Sequence, residues 1–275
     1  MKSSPNAFSK SDAIARQYDL FQASLESLGK ESKYLNYGYT TSREETYEQC
    51  QERLCLEVFH AAAIEPQHVV VDVGFGSGEQ DFLLIRTGSF KHLYGFNIAA
   101  KQVAYATARA REEKLDDKMS FQLGAAETLS GIAPGSVDRV IAIECAFYFD
   151  RPRFYQRTAE VLRPGGLLVL ADIMFADRMA FFASSSEDLS RVGTESSNRD
   201  QWSPYFQPRS IRRINRQTRP GAQMTVSQIL KIAPFSGFNA QQVREWLKMA
   251  FYSQLVALGL YTHLLHYDLV VLEKC

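Results

Sequence analysis

The stretch Val69-Val-Val-Asp-Val-Gly-Phe-Gly-Ser-Gly78 decides how the rest of the chain is read. Its first half, entered from His68, is a β-branched run of the kind that fills a strand buried on both faces. Its second half, Asp72-Val-Gly-Phe-Gly-Ser-Gly78, spaces three glycines as GxGxG, and a helical pattern follows over Gln80 to Ile85 with Phe82, Leu83 and Ile85 apolar. A glycine loop between a buried strand and a helix aims backbone amides and the helix N-terminus into one crevice, where a carboxylate is stabilised. Glu79 stands where a dinucleotide-binding GxGxxG needs its third glycine, which argues against a nicotinamide enzyme.

Outward from this unit, strands and helices alternate. Lys91 to Phe96 predicts a strand, Ala99 to Arg111 a helix, Met119 to Leu123 and Ser136 to Ile143 strands, Pro152 to Val161 a helix, and Gly166 to Ile173 a strongly apolar strand. This order implies an α/β fold with a mostly parallel sheet, right-handed crossovers and helices on both faces. Ligands of such sheets sit at the carboxyl ends of the strands, near the switch in strand order. Upstream, Ser42 lies three residues before Glu45 as in a capping box, opening a helix over Ser42 to Ala63. Beyond Phe175 the pattern blurs through the polar stretch Ser184 to Ala222. It returns as a helix over Gln241 to Leu260 and a strand over Tyr267 to Glu273. A sixth strand is left open between Ile211 to Asn215 and Thr225 to Ile232. The expected organisation is a helical N-terminal cap (1–64), a cofactor-binding core (65–175), an inserted lid (176–240), and a C-terminal helix and strand completing the core (241–275). The first dozen residues are expected to fray.

With 275 residues, 45% apolar and 12% aromatic, the chain can bury one core and carry an accessory segment. Its 31 basic residues balance 31 acidic ones, so no global field draws it to nucleic acid or an anionic membrane. Small substrates, neutral or with locally paired charges, are favoured. No apolar run approaches the roughly 18 residues of a spanning helix, and Met1 to Lys10 is polar without a signal-like stretch, so a cytoplasmic protein is expected. Cys50, Cys55, Cys145 and Cys275 form no CxxC pair and have no zinc-type spacing; reduced thiols and no metal site are expected.

The loop from Asp72 to Gly78 resembles the first motif of the class I S-adenosylmethionine-dependent methyltransferases, an acidic residue followed by GxGxG. Further segments resemble the same family in order: Tyr94-Gly-Phe-Asn-Ile with Lys101-Gln-Val, Gly124-Ala-Ala-Glu-Thr-Leu, Ser136 to Phe147, and Leu162-Arg-Pro-Gly-Gly to Asp172. Together they are similar to the branch that methylates sugars and natural products. The resemblance implies a Rossmann-like sheet with an antiparallel last strand, and S-adenosyl-L-methionine as cofactor. It places Asp72, Gly74, Gly76 and Gly78 beneath the methionine and ribose. It puts Asn97 where most members carry an acidic ribose ligand, with Ile98 and Gln102 beside it, and Ala126 and Glu127 near the adenine, Ala125 taking the usual acidic position. Tyr34-Leu-Asn-Tyr-Gly-Tyr resembles the LNxGYW segment that folds over the cofactor, with Thr40 for the tryptophan, and so implies Tyr39 at the methionine end, facing the sulfonium. These tyrosines also suit packing of the N-terminal helix onto the sheet.

Methyl transfer from a sulfonium is an in-line displacement in which the protein mainly aligns the reactants, and a positioned base takes the acceptor's proton. Three candidates fall at strand ends: Glu144, Tyr148 and Asp172. Asp172 reads as base or substrate orienter, or as a turn carboxylate. Glu144 reads as lining the sulfonium side. Tyr148, standing where related enzymes often carry histidine, reads as pocket wall, its reference pKa of about 10 making it a poor base. Arg209, Arg212, Arg213, Arg216 and Arg219 form a basic run that either holds an anionic group of the substrate or is a solvated face. The expected function is methyl transfer to oxygen, nitrogen or carbon of a small metabolite or natural product. The alternatives are an RNA or protein methyltransferase and a catalytically silent cofactor-binding subunit. Zero net charge, and Glu144-Cys-Ala-Phe where an NPPY-like motif would stand, speak against RNA.

Overall fold

In the computed structural model, which describes residues 6–27, 34–232 and 237–275, the run Val69–Val73 (β1) lies in the interior of the sheet. Side chains alternate across a strand, and here both faces are covered: Val70 joins one hydrophobic cluster, Val71 and Val73 the other. The other strands are β2 (His92–Asn97), β3 (Met119–Leu123), β4 (Val137–Ile143), β5 (Leu162–Phe175), β6 (Phe206–Arg213) and β7 (Leu265–Lys274). They form a seven-stranded sheet of order β3-β2-β1-β4-β5-β7-β6, in which β1 to β5 pair in parallel while β7 runs antiparallel to β5 and to β6. The chain winds outward from β1 to β3 and then returns to β4 on the other side of β1. This reversal opens the crevice at the carboxyl ends of β1 and β4.

The described helices are α1 (Asn6–Ser27), α2 (Tyr47–Ala62), α3 (Glu79–Thr87), α4 (Ala100–Glu112), α5 (Arg151–Val161), α6 (Ala180–Ala183), α7 (Glu187–Val192), α8 (Glu195–Trp202), α9 (Asn215–Ile232) and α10 (Ala240–Tyr261). Leu54, Cys55 and Val58 of α2 and Phe82 to Leu84 of α3 pack on one face of the sheet; Phe154 and Tyr155 of α5 and Trp202 of α8 pack on the other. Each such fully buried apolar side chain contributes about 1.5–3 kcal/mol. None of the described helices is long and apolar enough to cross a membrane.

Several local expectations are corrected. Helix α2 is capped by a capping box four residues later than expected: Thr46 accepts from the Gln49 amide and the Gln49 side chain accepts from Thr46. The Glu45 carboxylate instead takes the Thr41 and Ser42 amides, closing the preceding turn. The open sixth strand is Phe206–Arg213, and Thr225 to Ile232 belongs to α9, so part of the 176–240 stretch expected as a lid extends the sheet. Of the first dozen residues, 1–5 lie outside the described ones and Asn6 already begins α1.

Candidate active site

At the end of β1 the chain turns through the glycine loop. Gly74 adopts φ +71°, and a Cβ there would lie 2.7 Å from Cys145 Cβ, so only glycine lets the loop pass β4 this closely. Gly74 N–H donates to Phe96 O at 2.7 Å, tying the loop to β2. Asp72 does not reach the crevice. It is buried beneath the loop, where its Oδ2 accepts from the Gln80 side chain and it meets a second buried carboxyl, Asp81. Desolvation raises both pKa values, and the two carboxyls lie close enough to hydrogen-bond when one of them is protonated. Gly78 likewise sits behind the loop as the N-cap of α3.

Above the loop lies a cleft that is partly open to solvent. It brings together Gly74, Gly76, Asn97, Ile98, Gln102, Ala126, Glu127, Glu144 and Tyr148 of the expected residues. Asn97 ends β2 with its amide engaged: Nδ2 donates to Gly76 O (3.2 Å) and Gln102 Oε1 (2.9 Å), and Oδ1 accepts from Ala99 N (3.2 Å). It therefore fastens the loop to the start of α4 and orients Gln102. Glu127 Oε1 accepts the Asp150 amide at 2.8 Å just ahead of α5.

The roof comes from two segments. Lys101 N–H at the start of α4 donates to Asp19 of α1, which holds Ile14 and Tyr18 over the cleft; Tyr18 donates its hydroxyl hydrogen to Tyr148 Oη at 3.1 Å. Burial pushes the Tyr148 phenol up, so at neutral pH it is an uncharged wall. The second segment, Tyr34 to Thr40, is clamped between α2 and α9. Gln51 donates to the carbonyls of Tyr34 and Asn36, and Thr40 N–H to Gln217 O. Gly221 of α9 abuts Tyr37 so closely that a Cβ would lie 1.5 Å from Tyr37 O. Here the expectation for Tyr39 fails. Its amide bonds Cys50 O and its ring packs against the α2 core, while Tyr34, Leu35 and Asn36 face the cleft instead.

Glu144 is the group that stands out. It follows β4 in the left-handed region, φ +52°, a conformation that an L-residue keeps only where its surroundings impose it. Its Oε1 accepts from Tyr37 N–H (2.8 Å) and Tyr267 Oη–H (2.8 Å), and the side chain lines the cleft. Desolvation by burial, the largest effect, pushes its pKa up to about 8 against those two bonds. No Lys, Arg or His among the described residues forms an ion pair with it. Beside it Asn36 Oδ1 is a buried acceptor without a partner. A carboxyl and an amide oxygen in this condition suit a ligand that brings positive charge and N–H donors, as the methionine end of S-adenosylmethionine does.

Asp172 is a correction. Strand β5 runs on to Phe175, so Asp172 lies inside the strand, opposite Asp268 of β7, and not at its end. Its side chain is absent from the cleft lining and forms a buried ion pair with Arg151 (2.8 Å), Oδ1 taking the Ile173 amide. The arginine run is also engaged elsewhere: Arg209 pairs with Glu273, Arg212 with Glu57, and Arg213 with Glu195 and Asp268, along the outer strand β6. None of the five arginines lines the cleft. Residues that received no role of their own from the sequence are Tyr18 and Tyr267, together with Asn36 and Tyr37 of the segment in which only Tyr39 is singled out. They come from three separate places in the chain, and no spacing rule links them to the loop.

A methyltransferase-domain family model matches residues 71–170. Erythromycin 3''-O-methyltransferase of Saccharopolyspora erythraea is 33% identical over 161 residues, 58% of this chain and 52% of that protein. The 27-O-demethylrifamycin SV methyltransferase of Amycolatopsis mediterranei is 30% identical over 181 residues, 66% of this chain and 65% of that protein. The chain thus spans between about half and two thirds of these curated relatives. Among solved structures, the [4+2]-cyclase SpnF superposes with TM-score 0.77 at 19% identity, over 95% of this chain and 94% of that one. Geranyl diphosphate C-methyltransferase of Streptomyces coelicolor A3(2) does so with TM-score 0.69 at 14% identity, over the whole of both chains. At these identities the likeness concerns the fold alone. Residues 71–170 thus match a methyltransferase domain, and the motif order and sheet order around it resemble those of the class I S-adenosylmethionine-dependent methyltransferases.

Proposed function

We propose that the protein transfers a methyl group from S-adenosylmethionine to a hydroxyl oxygen of a small natural product. The observation that carries this reading is Glu144, a cleft-facing carboxyl with no cationic partner among the described residues, next to the glycine loop. The choice of oxygen leans on the O-methylating names of the similar proteins. When bound, S-adenosylmethionine supplies a methyl group already activated by its sulfonium.

The chain's residues do the rest. The loop at Gly74 and Gly76 would hold the methionine portion, Gln102, its Oε1 held by Asn97, would offer Nε2 to the ribose, and the backbone at Ala125 and Ala126 would meet the adenine. Asn36 Oδ1 would accept from the ammonium. Glu144, fixed through Oε1, presents Oε2 to the cleft, where positive charge favours the carboxylate that receives the acceptor's proton. Tyr148 and Tyr18 exclude water above it. Asp172 acts only by anchoring Arg151. No anionic handle on the substrate is needed, since the arginine run is away from the cleft. A cytoplasmic setting accords with the buried free thiols of Cys50, Cys55 and Cys145.

The test is incubation of the purified chain with labelled cofactor and a panel of hydroxylated macrolides and ansamycins, read by mass spectrometry. A product one CH₂ heavier on oxygen is expected. Cofactor binding without turnover on any hydroxylated acceptor would favour a silent subunit.

A further inference from the structure

Helix α10 is apolar on two sides. One side is buried: Trp246, Ala250, Ser253, Ala257 and Leu260 pack against α1, α9 and the sheet. On the other, Leu247, Phe251, Leu255 and Leu258 follow at intervals of three or four residues, which puts them on one stripe, and each is between 46% and 61% exposed. Tyr252 and Tyr261 flank the stripe on opposite edges, and the Arg219 guanidinium lies over the Tyr261 ring. Residues 249–261 contain no Asp, Glu, Lys, Arg or His. Arg178 bonds the carbonyls of Thr262 and His263, which brings the exposed Phe181 and Phe182 next to the C-terminal end of α10.

We propose that this face is a two-fold interface between two copies of the chain, with α10 packed antiparallel against its counterpart. Two observations favour a second copy. The first is size. Seven large apolar side chains between Leu247 and Leu264, at about 100 Å² of exposed surface each, supply close to the roughly 800 Å² per partner of a standard interface. The second is charge. An isologous contact lays a patch on itself, so any charge meets its own image, and the stretch 249–261, with no charged residue of its own, closes without repulsion. No residue of this face lines the cleft, so the contact leaves the cofactor site free.

The test is sedimentation of the full chain across a concentration series, comparing wild type with Phe251→Glu/Leu255→Glu. A wild-type dimer at low micromolar concentration is expected, with its dissociation constant raised roughly a hundredfold or more in the variant, whose buried like charges have no partner. A wild type that stays monomeric at tens of micromolar, or a dimer indifferent to the two charges, overturns the proposal. So does recovery of wild-type monomer on phosphatidylcholine vesicles. Should the variant fail to fold, Leu255→Cys in a Cys275→Ser background decides. A short bis-maleimide must link two copies through it and leave Arg153→Cys, on exposed α5, unlinked; equal yields overturn the interface.

Discussion

Replacing Glu144 by glutamine isolates the electrostatics of the cleft. Glutamine keeps a carbonyl Oε1 for the Tyr37 amide and the Tyr267 hydroxyl but cannot ionise. In the wild type the carboxyl sits at about 8 when folded against an ordinary value of 4.5, so between these pH values the folded state binds more protons than the unfolded one. Stability therefore falls as pH rises through that window. The groups facing Glu144 make the direction secure: Tyr37 from the roof segment, Tyr267 from β7 and Asp172 from β5 include no cation, and the Asp172 charge adds to the rise. At about 1.4 kcal/mol per pKa unit the full shift is worth on the order of 5 kcal/mol, and contact of the side chain with cleft solvent reduces this to roughly 3 kcal/mol. Urea denaturation without cofactor at a series of pH values is the assay. Glu144→Gln and wild type should be equally stable near pH 5 and diverge in the variant's favour by roughly 3 kcal/mol near pH 8.5, other titrating groups cancelling. A positive ligand reverses the balance, so wild-type affinity for S-adenosylmethionine should climb from pH 6 to 8 while that for S-adenosylhomocysteine, which lacks the sulfonium, stays flat. Parallel stability curves for the two proteins would refute the buried-carboxyl reasoning.

Other substitutions probe the remaining features. Asp81→Asn gives the Asp72–Asp81 pair a permanent donor in place of a shared proton. Because both carboxyls are raised by burial, the variant should melt higher than wild type at pH 8.5 and show less of a gain at pH 6; an unchanged difference across pH would remove the shared proton. Asp172→Asn leaves the buried Arg151 guanidinium without its counter-charge and should cost about 3–5 kcal/mol in chemical denaturation, with turnover per folded molecule nearly kept. Loss of turnover at wild-type stability would return Asp172 to the chemistry. Gly74→Ala forces a Cβ against Cys145 at a positive φ, an effect of about 1–3 kcal/mol, and calorimetry should show cofactor affinity reduced at least tenfold; undiminished binding would mean the loop has room that its geometry denies.

Parts of the site were legible because their causes are local. The loop at Gly74 and Gly76 follows from which backbone angles a residue type tolerates, and the strands β1, β4 and β5 from runs of apolar residues buried on both faces. Strand β6 was not legible: seven of its eight residues are exposed or nearly so, it sits at the sheet edge with Pro208 beside its bulge, and its pairing with β7 rests on backbone bonds that leave no apolar pattern. Asp172 misled because two more residues of strand follow the expected end, enough to move a carboxylate from the mouth of the cleft into the sheet.

The sequence by itself determined the α/β order, the glycine loop and the family of the cofactor, since each rests on residues within a few positions of one another. Only the tertiary structure decided what surrounds the cofactor site. Tyr37, Glu144 and Tyr267 lie more than a hundred residues apart yet share one carboxylate oxygen, and Gly221 sets the roof by how closely α9 approaches Tyr37. A carboxyl's charge state depends on what is packed around it, and packing joins residues without regard to their distance along the chain.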